Sequence, residues 1–430
     1  MDSSTTKSSS ASASHLCVLV HEDQLVVYSA KRNTGSLTYD GIEIGAERVT
    51  REVEDVLEQL ARDGHNITKF SIVGYSLGGL VARYVVGLLY HKGYFEKISP
   101  VNFTTFATPH LGVRTPLLGY QNHLWNVLGA RTLSTSGRQL FTIDNFRDTG
   151  RPLLAVLADP ESIFIHALST FKNRTLYTNI VNDRTAVYYT TGIARKDPYT
   201  NLDKVKLNYV KGYEPVLLDP DHPVERAPEA ELPTFYQRIQ QGGRTFARRA
   251  PIVLALCILV PIAISVFLAN SAYQTVRSRK RIQLHERDSE GLGFGVYRIP
   301  YVVQEMRVGL EDAFENVNSA QTPDMLPDGS EELSGEPTSP LLDRVDTAES
   351  ILSEKSCETS SRQPEFPTLA LTPDQFSMIS ALDQVGWRKF GVHITKSSHS
   401  HAAIIVRTAR AAFEEGKLVV KHWLTEEFEV

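Results

Sequence analysis

A length of 430 residues is enough for a sizeable core with segments to spare, and 42% apolar against 22% charged residues is the balance of a folded protein. A net charge of −5 excludes a general nucleic-acid binder, which would be strongly basic, so no nucleic-acid partner is expected. Cys17, Cys257 and Cys357 are odd in number, far apart and in no metal-ligand spacing; this excludes a disulfide framework and a cysteine metal site and fits a reducing compartment.

In chain order, residues 1–14, "MDSSTTKSSSASAS", are polar and serine-rich and read as a disordered tail. They hold no apolar stretch of the kind a secretory signal needs, so the N-x-T sequences at Asn66, Asn102 and Asn173 are read as chance matches. Residues 15–225 alternate strand and helix patterns. Strands are predicted at Leu16–Val20, Leu25–Ala30, Lys69–Gly74, Val101–Ala107 and Thr175–Val181. Glu43–Arg62 is predicted helical: Val49, Val53, Val56, Leu57 and Leu60 recur at spacings of three and four, and Gly64 closes the run. Leu77–His91 is a second helix, apolar nearly all round and therefore buried. This order predicts an α/β fold: a mostly parallel sheet with helices on both faces. Residues 113–170 interrupt the rhythm. "PLLGYQNHLWNVLGARTL" reads equally as helical packing on the core and as a lid or acyl-binding wall.

Residues 226–249 form a linker, and residues 250–273, "APIVLALCILVPIAISVFLANSAY", carry no charge. Arg244, Arg248 and Arg249 flank this run on one side, and Arg277, Arg279, Lys280 and Arg281 on the other. Its length suits the hydrocarbon core of a bilayer. A return segment, 274–315, leads to an insert, 316–370, rich in Pro, Ser, Glu and Asp and expected to be disordered. Residues 371–430 regain order, with a helix at Thr372–Leu382, a strand at Trp387–Ile394 and a last helix from about His401.

The chemistry begins at "SIVGYSLGGLVARYVVG". Gly74-Tyr75-Ser76-Leu77-Gly78 is G-x-S-x-G between a strand and a helix, the setting of a nucleophile elbow. Gly74 and Gly78 leave room for the sharp turn at Ser76. The helix that starts there aims its N-terminal N–H groups at developing negative charge, and Leu77 is the expected oxyanion donor. A serine nucleophile needs a base and the base an orienting acid, here in the order Ser, Asp, His. Asp183 follows the strand ending at Val181, where an Asn-Asp turn is the plain alternative; Asp144 and Asp159 lack a preceding strand. In "GVHITKSSHSHAAIIVR", His401 directly precedes the apolar helix and is the preferred base, with His399 its near rival. His110 ends an earlier strand and is read as shaping the pocket floor; His222 is a weaker base candidate. No metal or cofactor is expected, because such a triad needs none.

"VGYSLGGLVARY", "FTTFATPHLG" and "HSHAAIIVR" resemble the fungal serine esterases that include the lipid-droplet phospholipase and the ROG-type lipases. The resemblance spans residues 15–215 and 371–430. It implies an α/β-hydrolase fold, hydrolysis of lipid acyl esters (phospholipid or acylglycerol), and Ser76, Asp183 and His401 as the triad by position. A lipid substrate and a membrane or lipid-droplet monolayer are then the expected partners, at the cytosolic face. Members also carry an H-G-x-x-G-like loop and a helix after the first strand, and that loop gives a second oxyanion N–H. Here only His21-Glu22-Asp23-Gln24 separates the first two strands, too little for the crossover that parallel strands need. Four residues allow only a hairpin or one merged, bent strand, whereas the strand rhythm demands that the Leu25 strand run parallel to its neighbours. A lost coding segment on the order of 20–30 residues explains the seam better than a redesigned site.

The apolar run also lies between Asp183 and the preferred histidines. A single crossing of the bilayer would part Ser76 from His401. Pro261, near its middle, suggests a hairpin that enters and leaves on one side, each arm roughly 16 Å of helix. Three functions are therefore expected in competition: a membrane- or droplet-bound lipase or phospholipase, a catalytically impaired variant that keeps lipid binding, and a non-enzymatic membrane adaptor.

Overall fold

The computed structural model describes residues 15–21, 24–33, 35–116, 134–183, 185–226, 273, 276–278, 280–282, 325 and 366–430. The N-terminal tail, residues 117–133 of the lid candidate, residues 250–272 of the apolar run and most of the linker, return segment and insert lie outside the described residues. Among the described residues no helix is long and apolar enough to cross a membrane.

A six-stranded sheet organises the chain. Its strands are β1 (His15–His21), β2 (Gln24–Ser29), β3 (Lys69–Tyr75), β4 (Ser99–Phe106), β5 (Asn173–Asn179) and, far along the sequence, Arg388–Val392. The spatial order is β2-β1-β3-β4-β5 and then Arg388–Val392, and from β3 onward every pairing is parallel. β3 alternates as a doubly covered strand should: Phe70 and Ile72 face one layer, Val73 and Tyr75 the other, and all four are buried.

The first layer is built by α1 (Ile42–Arg62), α2 (Leu77–His91) and Ile163–Thr170, with Pro373–Val385 added from the C-terminal part. Ile42, Val49 and Val53 of α1 meet Leu80, Val81 and Val85 of α2 over Phe70, Ile72 and Phe103. α1 has no side-chain cap of its own. Its first N–H groups are met from across the chain, Gly41 by Ser136 Oγ at 3.0 Å and Ile42 by Gln139 Oε1 at 2.7 Å. The second layer comes late in sequence: Ala403, Ile404, Phe413, Val419 and Trp423 cover Val73, Phe106, Tyr177 and Phe390.

Two expectations are corrected. The Leu25 strand is not parallel to its neighbour β1, although it runs in the same direction as β3. β1 and β2 form an antiparallel hairpin, with His21 opposite Gln24, and β1 is also antiparallel to β3. With so few residues between the strands, only a hairpin closes. β2 becomes the sheet edge, and Leu25 and Val27 are 47% and 60% exposed there. Secondly, no long helix starts at His401. One turn, Ser400–Ala403, is followed by irregular chain before Glu414–His422, and Gly416 lets the two meet, since a Cβ there would lie 1.8 Å from the Ala403 carbonyl oxygen.

His422 sits in the second layer among Phe390, Tyr213 and Tyr177, 2.9 Å from the Tyr177 hydroxyl, and burial pushes its pKa down to about 4. An unfolded chain binds this proton near pH 6.5, whereas the folded chain resists it until about 4. The unfolded state therefore gains protons first on acidification, and this stability is full above pH 6.5 and lost as pH falls toward 4. Melting temperatures measured across that window are expected to fall in the wild type and to fall less steeply in His422→Gln. Equal slopes would remove His422 as a cause.

Candidate active site

β3 runs straight into α2 through one residue. Ser76 has φ 54 and ψ −131, a conformation that costs a non-glycine residue roughly 1–3 kcal/mol and survives only when its surroundings enforce it. They do so by close approach. A Cβ on Gly74 would lie 2.3 Å from Gly79 Cα, and one on Gly79 would lie 2.1 Å from Thr108 Oγ1. The Ser76 N–H bonds to Phe106 O at 2.9 Å, and Gly79 N–H bonds back to Ser76 O at 3.1 Å. Gly78 lies at the same contact, its carbonyl carbon 2.9 Å from a Cβ on Gly74. Leu77 opens α2, so its N–H is one of the first-turn donors without an intrahelical acceptor.

The structure brings Ser76, His401 and Asp183 together. His401 Nε2 lies 2.9 Å from Ser76 Oγ, and His401 Nδ1 lies 2.9 Å from Asp183 Oδ2. A carboxylate only accepts, so Nδ1 carries the proton toward Asp183 and Nε2 is left as an acceptor for the Ser76 hydroxyl. Asp183 and His401 are buried, while Ser76 is half-buried and reachable. Asp183 is fixed by donors on both oxygens: Asn179 Nδ2 at 2.8 Å on Oδ2, and the N–H groups of Thr185 at 3.1 Å and Ala186 at 2.8 Å on Oδ1.

The single helical turn that carries His401 is held from two sides. Tyr75 donates its hydroxyl to the His401 carbonyl at 3.0 Å and sets its ring 5.1 Å from the imidazole; Ser400 Oγ donates to Val181 O at 2.9 Å. Glu415 accepts from the N–H groups of Thr395 and Lys396, both at 2.9 Å, and so fixes the loop that leads in. Sequence reading missed Tyr75, Asn179, Ser400 and Glu415 as supports. The first three carried a signal, each lying within four residues of a candidate; Glu415 carried none.

The other candidates stand elsewhere. His399 precedes the turn, with its backbone N–H on Ser397 Oγ at 3.1 Å. Asp144 accepts from Leu153 N–H at 2.9 Å, and burial raises its pKa; Asp159 pairs with Arg151. His222 lies in an exposed loop. His110 is fully buried behind the strand end, 3.1 Å from Thr105 Oγ1, and desolvation holds its pKa well below the usual histidine value. Its carbonyl takes an N–H from Arg83 at 3.3 Å; Arg83 is itself buried, and loss of water lowers its pKa to about 9. Among the described residues no group of three or more His, Cys, Asp or Glu side chains could hold a metal ion.

The hairpin decides where His21 lies. β1 pairs Leu16 with Val73 and Val20 with Lys69, so its end at His21 is at the start of β3. Ser76 follows the opposite end, roughly 20 Å away along the strand. The connection after β1 therefore cannot bring an N–H to the oxyanion side.

Residues 14–196 match the family described as "Putative serine esterase (DUF676)". Over 182 residues the chain is 33% identical to "Putative lipase ROG1" of Saccharomyces cerevisiae, covering 41% of this chain and 25% of that protein. Over 188 residues it is 28% identical to "Putative lipase C4A8.10" of Schizosaccharomyces pombe, covering 41% and 23%. The chain thus spans about a quarter of the length of these curated relatives. No solved structure matches the chain. The serine-esterase resemblance read from the motifs holds over residues 14–196, a span that includes Ser76 and Asp183 and ends before His401.

If Thr108 is the wall that excludes a side chain at position 79, Gly79→Ala is expected to lose roughly 1–3 kcal/mol of unfolding free energy, as overpacked sites do. Adding Thr108→Ala to Gly79→Ala is expected to recover part of it in urea titrations. Additive losses would show that the clash is not the cause. Tyr75→Phe, which removes the hydroxyl bond to the His401 carbonyl, is expected to cost about 0.5–1.5 kcal/mol in the same titration.

Proposed function

We propose that this chain is a serine hydrolase of lipid acyl esters, a lipase or phospholipase working at the cytosolic face of a membrane or lipid droplet. The observation that carries the reading is the pair of 2.9 Å contacts that link Ser76, His401 and Asp183 in a relay. Supporting it are the serine-esterase match over residues 14–196, the lipase names of the relatives, and the uncharged sequence at 250–273 between basic shoulders.

In this reading Ser76 Oγ attacks the acyl carbonyl carbon while His401 Nε2 takes its proton. The carbonyl oxygen becomes an oxyanion facing the Leu77 N–H and the positive end of α2. Asp183 keeps the imidazole in the required tautomer and stabilises its charged form. Collapse of the intermediate breaks the ester bond; the departing alcohol or lysolipid takes the proton from His401, and the acyl group stays on Ser76. Water, deprotonated by His401, then attacks the acyl-enzyme, releases the fatty acid and restores the hydroxyl.

A second reading is favoured by the β1–β2 hairpin. With His21 at the far end of the sheet, the connection after β1 gives no second oxyanion N–H, and the loss of one such donor costs about 10²–10³ in rate. The chain would then bind lipid and acylate slowly.

A fluorophosphonate probe separates these readings. Covalent labelling of the wild type, abolished in Ser76→Ala and slowed by at least about 10³ in His401→Ala, is expected for the hydrolase. Labelling that is Ser76-dependent yet roughly 10²–10³ slower than in a chain with a restored loop after His21 supports the impaired variant. No Ser76-dependent labelling under any condition overturns both and leaves an adaptor role.

A further inference from the structure

The chain that follows the apolar run returns to the catalytic domain at one buried carboxylate. Asp40 is 0% exposed and stands just before α1. Ser278 donates its hydroxyl to Asp40 Oδ1 at 2.8 Å. Arg281 meets it with Nη2 on Oδ1 at 2.6 Å and Nε at 3.1 Å from both oxygens. Arg48 of α1 completes the group on Oδ2 at 2.8 Å. Residues 276–278 and 280–282 are helical, so Ser278 and Arg281 fall on one face, three residues apart. Arg48 and Arg281 are each only 7% exposed. This geometry is a buried clasp with shared charge, unlike a surface ion pair.

The clasp is at the end of the sheet where Ser76 lies. β2 pairs Ser29 with Leu16, which pairs with Val73, so the loop from Ala30 to Gly41 leaves the sheet beside the elbow. Glu52 pins that loop by accepting from the N–H groups of Lys31 at 2.8 Å and Arg32 at 3.0 Å. The Thr38–Gly41 turn is bound in turn to the helix Thr135–Leu140, through Ser136 on Thr38 O and on Gly41 N–H, and Leu140 O takes the N–H of Val113 in the loop after β4. The clasp and the strand ends that surround the catalytic edge are thus mechanically continuous. On the free side of the docked segment, Tyr273 and Val276 are 60% and 69% exposed, and Lys280 is exposed beside them.

We infer that Asp40, Arg48, Ser278 and Arg281 form a positioning clasp that fixes the mouth of the Ser76 site against a lipid surface. Tyr273 and Val276 meet the apolar boundary of that surface, and Arg277 and Lys280 its anionic headgroups. This deepens the lipid-esterase reading and rests on it for the substrate. The clasp residues touch no reacting atom. Their role is to present embedded ester bonds to Ser76 once the chain is bound.

The test uses the full chain, vesicles of phosphatidylcholine with an anionic lipid fraction, and Arg281→Ala. This variant leaves Asp40 with Arg48, whereas loss of Asp40 would leave two buried guanidiniums facing each other. Flotation with vesicles is expected to change by less than about twofold, and hydrolysis of a short-chain soluble ester likewise, while hydrolysis of vesicle phospholipid falls about tenfold or more. A second readout is independent of catalysis. A donor fluorophore on Ser398→Cys, in a chain with Cys17, Cys257 and Cys357 replaced by alanine, is expected to transfer energy to acceptor lipids, and Arg281→Ala is expected to reduce this transfer at equal flotation. Ser278→Ala should give a smaller effect in the same direction. Equal loss on soluble and vesicle esters, unchanged energy transfer, or a wild type that does not float would each overturn the clasp. A wild type that hydrolyses neither ester overturns the esterase reading, and energy transfer then decides the clasp by itself.

Discussion

The contact on which the rest of the site depends is the meeting of the Gly74 and Gly79 backbones with the Thr108 side chain. Because no side chain fits between them, β3 can turn into α2 within one residue, and Ser76 is left with a left-handed φ that nothing else would tolerate. The strain is local, but the structure that enforces it is the whole sheet. β4 places Phe106 O to receive the Ser76 N–H and carries Thr108 behind Gly79. Parallel pairing then sets the ends of β5 and Arg388–Val392 level with the elbow, so the loops that follow bring Asp183 and His401 to it from across β4. A rigid turn at one strand end and two pinned loops that follow strands further along the sheet produce a relay whose members are far apart in sequence.

Much of this was legible in the residues. Leu77–His91 coincides with its predicted helix, because an apolar run after an elbow has few alternatives. Ser76, Asp183 and His401 stand together where strand ends and loop positions suggested. The failures have physical causes. The strand out of line is the first one: β2 runs in the direction of β3, whereas β1 is reversed against both, because four residues leave room for a hairpin and not for a crossover. The helix expected from His401 broke because Gly416 brings a later helix against its first turn, a tertiary contact that no local periodicity encodes. The helix Thr135–Leu140 and its bonds to the start of α1 were invisible for the same reason: the caps come from nearly a hundred residues downstream.

The hairpin also explains a surface. α1 covers one side of β2 through Val26 and Tyr28, whose hydroxyl reaches Glu52. On the other side Leu25 and Val27 face solvent, although both have the character of core residues. A sheet edge with uncovered aliphatic side chains is where a further element would normally lie. The seam after His21 thus has two signatures: a strand end turned away from the nucleophile and an apolar strip with nothing over it among the described residues.

The separation between Ser76 and His401 has a consequence in time. Their contact joins residues 325 positions apart. At about 5–20 residues per second, synthesis of the intervening chain takes roughly 15–65 s. During that interval the elbow can fold with β3, β4 and α2 while the imidazole it needs has not yet been translated. The uncharged run leaves the ribosome within the same interval, ahead of the histidine. A newly made chain therefore holds the folded elbow before it holds a complete relay, and the order of the sequence alone sets that delay.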